Sequence, residues 1–228
     1  MTNPNIKQTI PAFFSRYPMV GYKKGEIILS PDDPIRWVYY IESGYIRLYN
    51  IIESGKELTL SIFKPGSYFP MFLVLGNAPN TYYFESFTPT KLYKAPKEDV
   101  IQVMQKEPDV LFEFTSRVSI GLNGLLENMQ FLLFGPVHNR VASTLLLFSK
   151  RFGEETNDGQ RRIILPLTHQ DIANSIGVAR ETASLEMEQL VRKNLISYTH
   201  KTITIKNVAL LEKEAHMVEN TEISDSSF

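Results

Sequence analysis

The chain has 228 residues, 24 Lys plus Arg against 25 Asp plus Glu, 43% apolar residues and no cysteine, a length that allows one domain or two and suffices to bury a core. The absence of cysteine excludes disulfides, thiolate nucleophiles, iron–sulfur clusters and Cys-containing zinc sites, and fits a reducing cytoplasm. Divided along the chain, charge is balanced over residues 1–136, rises to +3 over 137–211 and falls to −4 over 212–228, the pattern of a mildly basic module with an acidic tail.

The opening segment MTNPNIKQTIPAFF has no basic stretch leading into an apolar one, so no signal peptide is expected. From about residue 20 to 95, short apolar alternations are punctuated by turn residues. EIILSPDD, WVYYIESG, YIRLYNIIESGKE and LTLSIFKPG have strand-like spacing, with turns expected at Ser43-Gly44 and Ser54-Gly55. Leu58, Leu60 and Ile62 alternate with Thr59, Ser61 and Phe63, as a half-buried strand requires. Many short strands at this spacing predict a barrel, roll or sandwich. The uncharged stretch 65–84 is broken by Pro70, Gly76, Asn77, Pro79 and Asn80 and is no membrane helix.

Beyond Lys97 the period changes. Leu111, Val118, Leu125 and Leu132 recur every seven residues, and Thr115, Leu122 and Met129 fall four after the first three, a heptad series on one long helix. Such a seam either packs on its own domain or pairs with a second copy; Gly121 and Gly124 either permit close approach or mark a weak point. Gly135-Pro136 ends or kinks the helix, because proline lacks the amide and clashes with the preceding turn. A domain boundary is expected there. Residues 137–152 resume helical spacing, 153–162 read as a polar loop, and LISYTHKTITIKN reads as a hairpin before a disordered acidic end.

Residues 168–195, THQDIANSIGVARETASLEMEQLVRKNL, carry the pattern of a helix-turn-helix. Ile172 and Ile176 give the first helix a buried face, Ala173 is small where two helices cross, Gly177 supplies the turn and Val178 plugs it. Ala183, Met187, Leu190 and Val191 form an apolar stripe on the second helix. Arg180, Glu181 and Ser184 then project outward near its start, where base edges are met in a major groove. Arginine can donate to guanine, glutamate can accept from cytosine N4, and serine can do either. A plain two-helix corner with a solvated face would share the pattern, but the hairpin directly after it argues for a winged helix.

ARETAS within this pattern, the following NLIS and KTITI, and the upstream NRVASTLLLF resemble the winged-helix domain of the Crp/Fnr family of bacterial transcription regulators. KGEIILSPDD, VYYIESGYIRLY, SGKE and KPGSYF are similar to that family's cyclic-nucleotide-binding-type β-roll and occur in the family's order. The resemblance implies an α+β chain: a jelly-roll-like antiparallel β-roll sensor over 1–96, a dimerisation helix over 97–134, a hinge at 135–139, a winged helix-turn-helix over 140–211 and the tail 212–228. It implies a cytoplasmic, non-enzymatic homodimer that binds double-stranded DNA at a pseudo-palindromic site, with Leu111, Val118, Leu122, Leu125, Met129 and Leu132 as the dimer seam. Arg180, Glu181 and Ser184 become base-reading positions, and Thr168, His169, Gln170, Thr182 and Lys201 DNA-backbone positions. Leu185 stands where the family places a second base-reading arginine, and Glu186 where an apolar core residue is common; a leucine there can touch a thymine methyl.

The family's loop after the PG motif carries a glutamate for ribose and an arginine for cyclic phosphate. Here Met71 falls at the glutamate position and Asn80 with Thr81 at the Arg-Ser position, and no basic residue lies between Lys64 and Lys91. A buried phosphate without a cation is costly, so cyclic AMP is not the expected effector. No metal or cofactor is expected: the four histidines, at 138, 169, 200 and 216, all lie beyond the roll and match no metal spacing. The same lack of histidine in the roll argues against a cupin-like metal enzyme. Eighteen of the 26 aromatic residues precede position 94. They either fill the core or, with Tyr68, Phe69, Met71, Asn80, Thr81 and Tyr82, line a pocket for an unidentified apolar effector. RNA polymerase is a further partner through residues 153–162, by location only. The alternative is an effector-binding roll whose degenerate winged helix serves protein contacts.

Overall fold

A computed structural model describes residues 6–53, 55–133 and 135–215, without the side chains of 6–8, 128 and 131–133. The chain divides into two units, Met1–Leu126 and Glu127–Phe228.

The first unit runs α1 (Ile6–Phe14), β1 (Met19–Tyr22), β2 (Ile27–Leu29), β3 (Trp37–Ser43), β4 (Ile46–Ile51), β5 (Glu57–Phe63), β6 (Tyr68–Phe69), α2 (Met71–Gly76), β7 (Tyr83–Ser86), β8 (Thr90–Pro96), α3 (Lys97–Lys106) and most of α4 (Pro108–Leu133), whose residues from Glu127 onward fall in the second unit. Its strands form two antiparallel four-stranded sheets, β1-β8-β3-β6 and β2-β7-β4-β5. This is the β-roll expected from the punctuated alternation. One apolar cluster joins Leu29, Tyr39, Ile41, Leu48, Phe69, Phe84 and Leu92 from both sheets. A second packs Ile10, Phe14, Met71, Val100 and Phe114, all from helices, against Val38, Tyr68 and Ala95 of the strands. The turn at Ser43-Gly44 needs its glycine twice over: φ is +85° at Gly44, and a Cβ would sit 2.4 Å from the Pro89 carbonyl oxygen.

Several expectations are corrected here. The alternation of Leu58, Leu60 and Ile62 does not carry through β5: the register steps from Leu48 opposite Ser61 to Tyr49 opposite Thr59. The bulge at Leu60 reverses the phase, so Thr59 and Ile62, three apart, are both buried. The stretch 97–134 is two helices, not one, because Glu107 is extended ahead of Pro108, where an α conformation would clash. Neither α1 nor α2 was expected. On α4, Val110, Glu113, Phe114 and Arg117 face the roll. Arg117 Nε donates to Glu113 Oε1 at 2.7 Å and Nη1 to the Gly66 carbonyl at 2.8 Å, tying the helix to the PG turn.

The second unit continues with α5 (Val137–Phe152), β9 (Gly153–Glu155), β10 (Arg161–Ile163), α6 (His169–Ile176), α7 (Arg180–Arg192), β11 (Ile196–Thr199), β12 (Thr202–Ile205) and α8 (Val208–Ala215). The sheet order is β11-β12-β10-β9, antiparallel throughout. Residues 153–162, expected as a polar loop, thus hold a hairpin closed by the Thr156 amide on the Gln160 carbonyl at 2.9 Å. Residues 212–215, expected in the acidic tail, belong to α8, where Glu214 pairs with Lys193 at 2.7 Å; the remainder of the tail lies outside the described residues.

Arg47 is the one arginine in the buried set. On β4 it reaches Glu57 of β5 at 2.7 Å and Glu85 of β7 at 2.9 Å, with its guanidinium 4.0 Å from the Tyr49 ring centroid. Removing one partner from such a pair strands buried charge, so Arg47→Ala is expected to lower roll stability by about 3 kcal/mol, read from the urea midpoint at an unchanged slope.

Candidate nucleic-acid interface

Helix α6 begins with a capping box. The Thr168 hydroxyl accepts from the Asp171 amide at 3.2 Å, while Asp171 Oδ2 accepts from the Thr168 amide at 2.7 Å. Ile172, Ala173 and Ile176 are buried, as expected. The helix ends at Gly177, whose φ of +70° is the left-handed cap conformation, and the Val178 amide then returns to the Ala173 carbonyl at 3.1 Å. Ala179 is extended and α7 starts at Arg180, so the corner directs the first turn of α7 away from the core.

Ala183, Met187 and Leu190 seat α7 on that core. Val191, expected with them, is instead 42% exposed, since it lies past the edge of the stripe defined by those three. Arg180 and Glu181 are exposed, and Leu185 stands 60% exposed beside them. Glu186 is half-buried at the margin of the helix and needs no pairing in the core.

Ser184 is not free. It is half-buried, and its Oγ lies 2.9 Å from His169 Nδ1. The His169 ring rests 4.7 Å from the Tyr198 ring, and Tyr198 donates to the Leu167 carbonyl at 3.2 Å. Burial, reinforced by the Arg180 charge and opposed by Glu188, holds the imidazole below its ordinary pKa. A cleft of about 290 Å³ opens beside it, lined by His169, Met187, Glu188, Val191, Arg192 and Tyr198. Periodicity alone does not reveal it, because its walls come from two helices and a strand.

Among the expected backbone positions, Thr168 is engaged in the capping box, Gln170 is exposed and donates to Asn174 Oδ1 at 2.7 Å, and Thr182 is half-buried. Lys201 is exposed on a two-residue hairpin loop with His200. Both have positive φ, 51° at His200 and 66° at Lys201, the type I′ geometry that suits strand twist. The Lys201 carbonyl accepts the Leu167 amide at 3.1 Å, fixing the loop against the approach to α6.

In the roll, the expected pocket residues are packing elements. Phe69 stacks between Tyr39 and Phe84 at 5.2 Å from each, Tyr68 lies 4.4 Å from Phe114, and Met71 is buried in the helix-side cluster. Asn80 is 1% exposed. Its Nδ2 donates to the Ser30 and Tyr82 carbonyls and its Oδ1 accepts the Tyr82 amide at 3.1 Å. Of the six, Thr81 is exposed and Tyr82 half-buried.

A winged helix-turn-helix that follows a β-roll in the sequence, with charged side chains on the outer face of its second helix, defines a DNA-binding regulator. Residues 19–107 match the cyclic nucleotide-binding domain and residues 139–214 the Crp-like helix-turn-helix domain. The chain is 31% identical over 195 residues to the global nitrogen regulator of Synechocystis, covering 85% of this chain and 86% of that one. It is 25% identical over 206 residues to the cAMP-activated global transcriptional regulator CRP of Pasteurella multocida, 90% of this chain and 97% of that one. A CRP/FNR-family transcriptional regulator from Thermus thermophilus superposes with a TM-score of 0.70 at 26% identity, over 87% of this chain and 98% of the other. The chain belongs to the Crp/Fnr family of transcription regulators. It is a DNA-binding transcription regulator whose relatives are regulators and not enzymes.

The capping box makes a separable demand on stability. Thr168→Ala is expected to lower the stability of the winged helix by about 1 kcal/mol and Thr168→Ser to restore most of it, measured by thermal unfolding.

Proposed function

We propose that the chain acts as a cytoplasmic homodimer on a pseudo-palindromic DNA site, without cyclic AMP. The observation that carries the base-reading part is the outward face of α7, where Arg180 and Glu181 project from the first turn with Leu185 one turn on. Arg180 donates to guanine, Glu181 accepts from cytosine, and Leu185 covers a thymine methyl. His169, Gln170, Thr182 and Lys201 meet phosphates, and Thr168 serves this edge by capping α6.

Support for the dimer comes from α4. Leu111, Leu122, Leu125 and Met129 are each at least 40% exposed along one face, an apolar stripe that a lone chain leaves in water. Val118 is half-buried against the roll and contributes less, and the Leu132 side chain lies outside the described residues. The β9–β10 hairpin, with Thr156 and Gln160 both bonded to Asp158, offers RNA polymerase a rigid surface.

Cyclic AMP is disfavoured by the neighbours of its expected site. Met71 is core and the Asn80 amide is fully engaged, so neither supplies a partner for ribose or phosphate. No helix among the described residues is long and apolar enough to cross a membrane. One observation favours a second reading, a winged helix used for protein contacts: the same face of α7 carries Glu181, Glu188 and an exposed leucine.

Selection of duplexes from a random pool by the ligand-free protein is expected to enrich an inverted repeat with half-sites about 34 Å apart. No enrichment, with or without cell extract, would favour the protein-contact reading. On the selected site, Arg180→Ala is expected to cost about 2 kcal/mol and relax one base position, whereas Lys201→Ala weakens all sequences alike. Leu122→Asp with Leu125→Asp is expected to sediment as a monomer. Titration calorimetry with cyclic AMP is expected to give no binding heat.

A further inference from the structure

Ser184 sits on the reading face of α7, yet its hydroxyl is held by a side chain of the other helix. A hydroxyl has one proton to donate, and where that proton goes decides what the oxygen can offer a base. His169 Nδ1, 2.9 Å away, is therefore placed to set the hydrogen-bonding polarity of Ser184. We propose that His169 is a specificity-positioning residue: its protonation state switches Ser184 between accepting from and donating to a base edge, and so changes the preferred base at one position of the half-site. This rests on the reading of α7 as the base-contacting helix.

Nδ1 faces Ser184, which leaves Nε2 to meet a phosphate, and a phosphate oxygen can only accept, so Nε2 must carry a proton. A neutral ring with its proton on Nε2 has a bare Nδ1, which takes the Ser184 hydroxyl proton. Ser184 Oγ then has lone pairs only, and suits the amino group of adenine or cytosine. When the ring takes up a second proton, Nδ1–H donates to Oγ, and the hydroxyl proton turns outward to guanine O6 or N7 or thymine O4. One proton is gained from solvent, bonded to Nδ1, and no other covalent bond changes.

The surroundings act on this titration in both directions. The groups around the ring are Asp171 on α6, which is engaged by Thr168, then Arg180, Glu188 and Arg192 on α7, and Tyr198 on β11. In the free protein, burial and Arg180 hold the imidazole below its ordinary value, so it is neutral. A phosphate at Nε2 favours the imidazolium and raises the value, so DNA binding takes up a proton and tightens as pH falls. The adjoining cleft of about 290 Å³ gives the phosphate access to the ring.

The test is the same duplex selection run on the full chain at pH 6 and pH 8. One base position is expected to move from adenine or cytosine at pH 8 to guanine or thymine at pH 6, with a change in base ratio of about tenfold, the size of one hydrogen bond of discrimination. Ser184→Ala should abolish the shift while keeping the rest of the motif, His169→Arg, a permanent donor, should give the pH 6 preference at both values, and His200→Asn should leave the shift intact. An identical motif at both pH values in the unmodified protein overturns this inference and leaves DNA recognition standing. Enrichment of no motif at either pH, with or without cell extract, overturns the reading of α7 as the base-contacting helix beneath it.

Discussion

Groups that can form hydrogen bonds mostly leave water only in company, and in this chain that requirement ties down much of the polar interior. In the roll it binds Arg47 to two glutamates and closes the Asn80 amide around its own loop. In the winged helix it joins Thr168 to Asp171 and Tyr198 to the Leu167 carbonyl. What is left over is Arg180, Glu181 and Leu185 on one helix face and Lys201 at a hairpin tip.

The two units read differently from sequence for a physical reason. The winged helix was legible because its signals are local and agree: a capping residue, a 3.6-residue period, Gly177 at a left-handed cap and two alternating strands in tandem. The roll was legible in outline only. Its alternation is interrupted by a bulge at Leu60, and a bulge leaves no mark in the period until the register is known. The helix Met71–Gly76 reads as an apolar strand by composition, because six residues are too few for a helical period to emerge. The hairpin across 153–162 was hidden by strands of three residues each.

The site was half legible for a related reason. Exposure of Arg180 and Glu181 follows from the stripe formed by Ala183, Met187 and Leu190 opposite them. The partnership of His169 with Ser184, fifteen residues apart, depends on the crossing of two helices and cannot be counted off in sequence. The candidate effector residues could not be sorted by composition, because aromatic enrichment looks the same whether rings line a cavity or fill one. Here Phe63, Phe69, Phe72 and Phe84 form a continuous stack with Tyr39. Such a stack stiffens the roll and passes strain directly from α2 to both sheets.

The outer face of α7 alternates in sign, Arg180 against Glu181 and Glu188 against Arg192 at 3.6 Å. A surface so nearly neutral gathers few phosphates by charge alone, and releases few counterions when it docks. On the proposed reading of α7, occupancy of a DNA site then depends on the match between side chains and base edges.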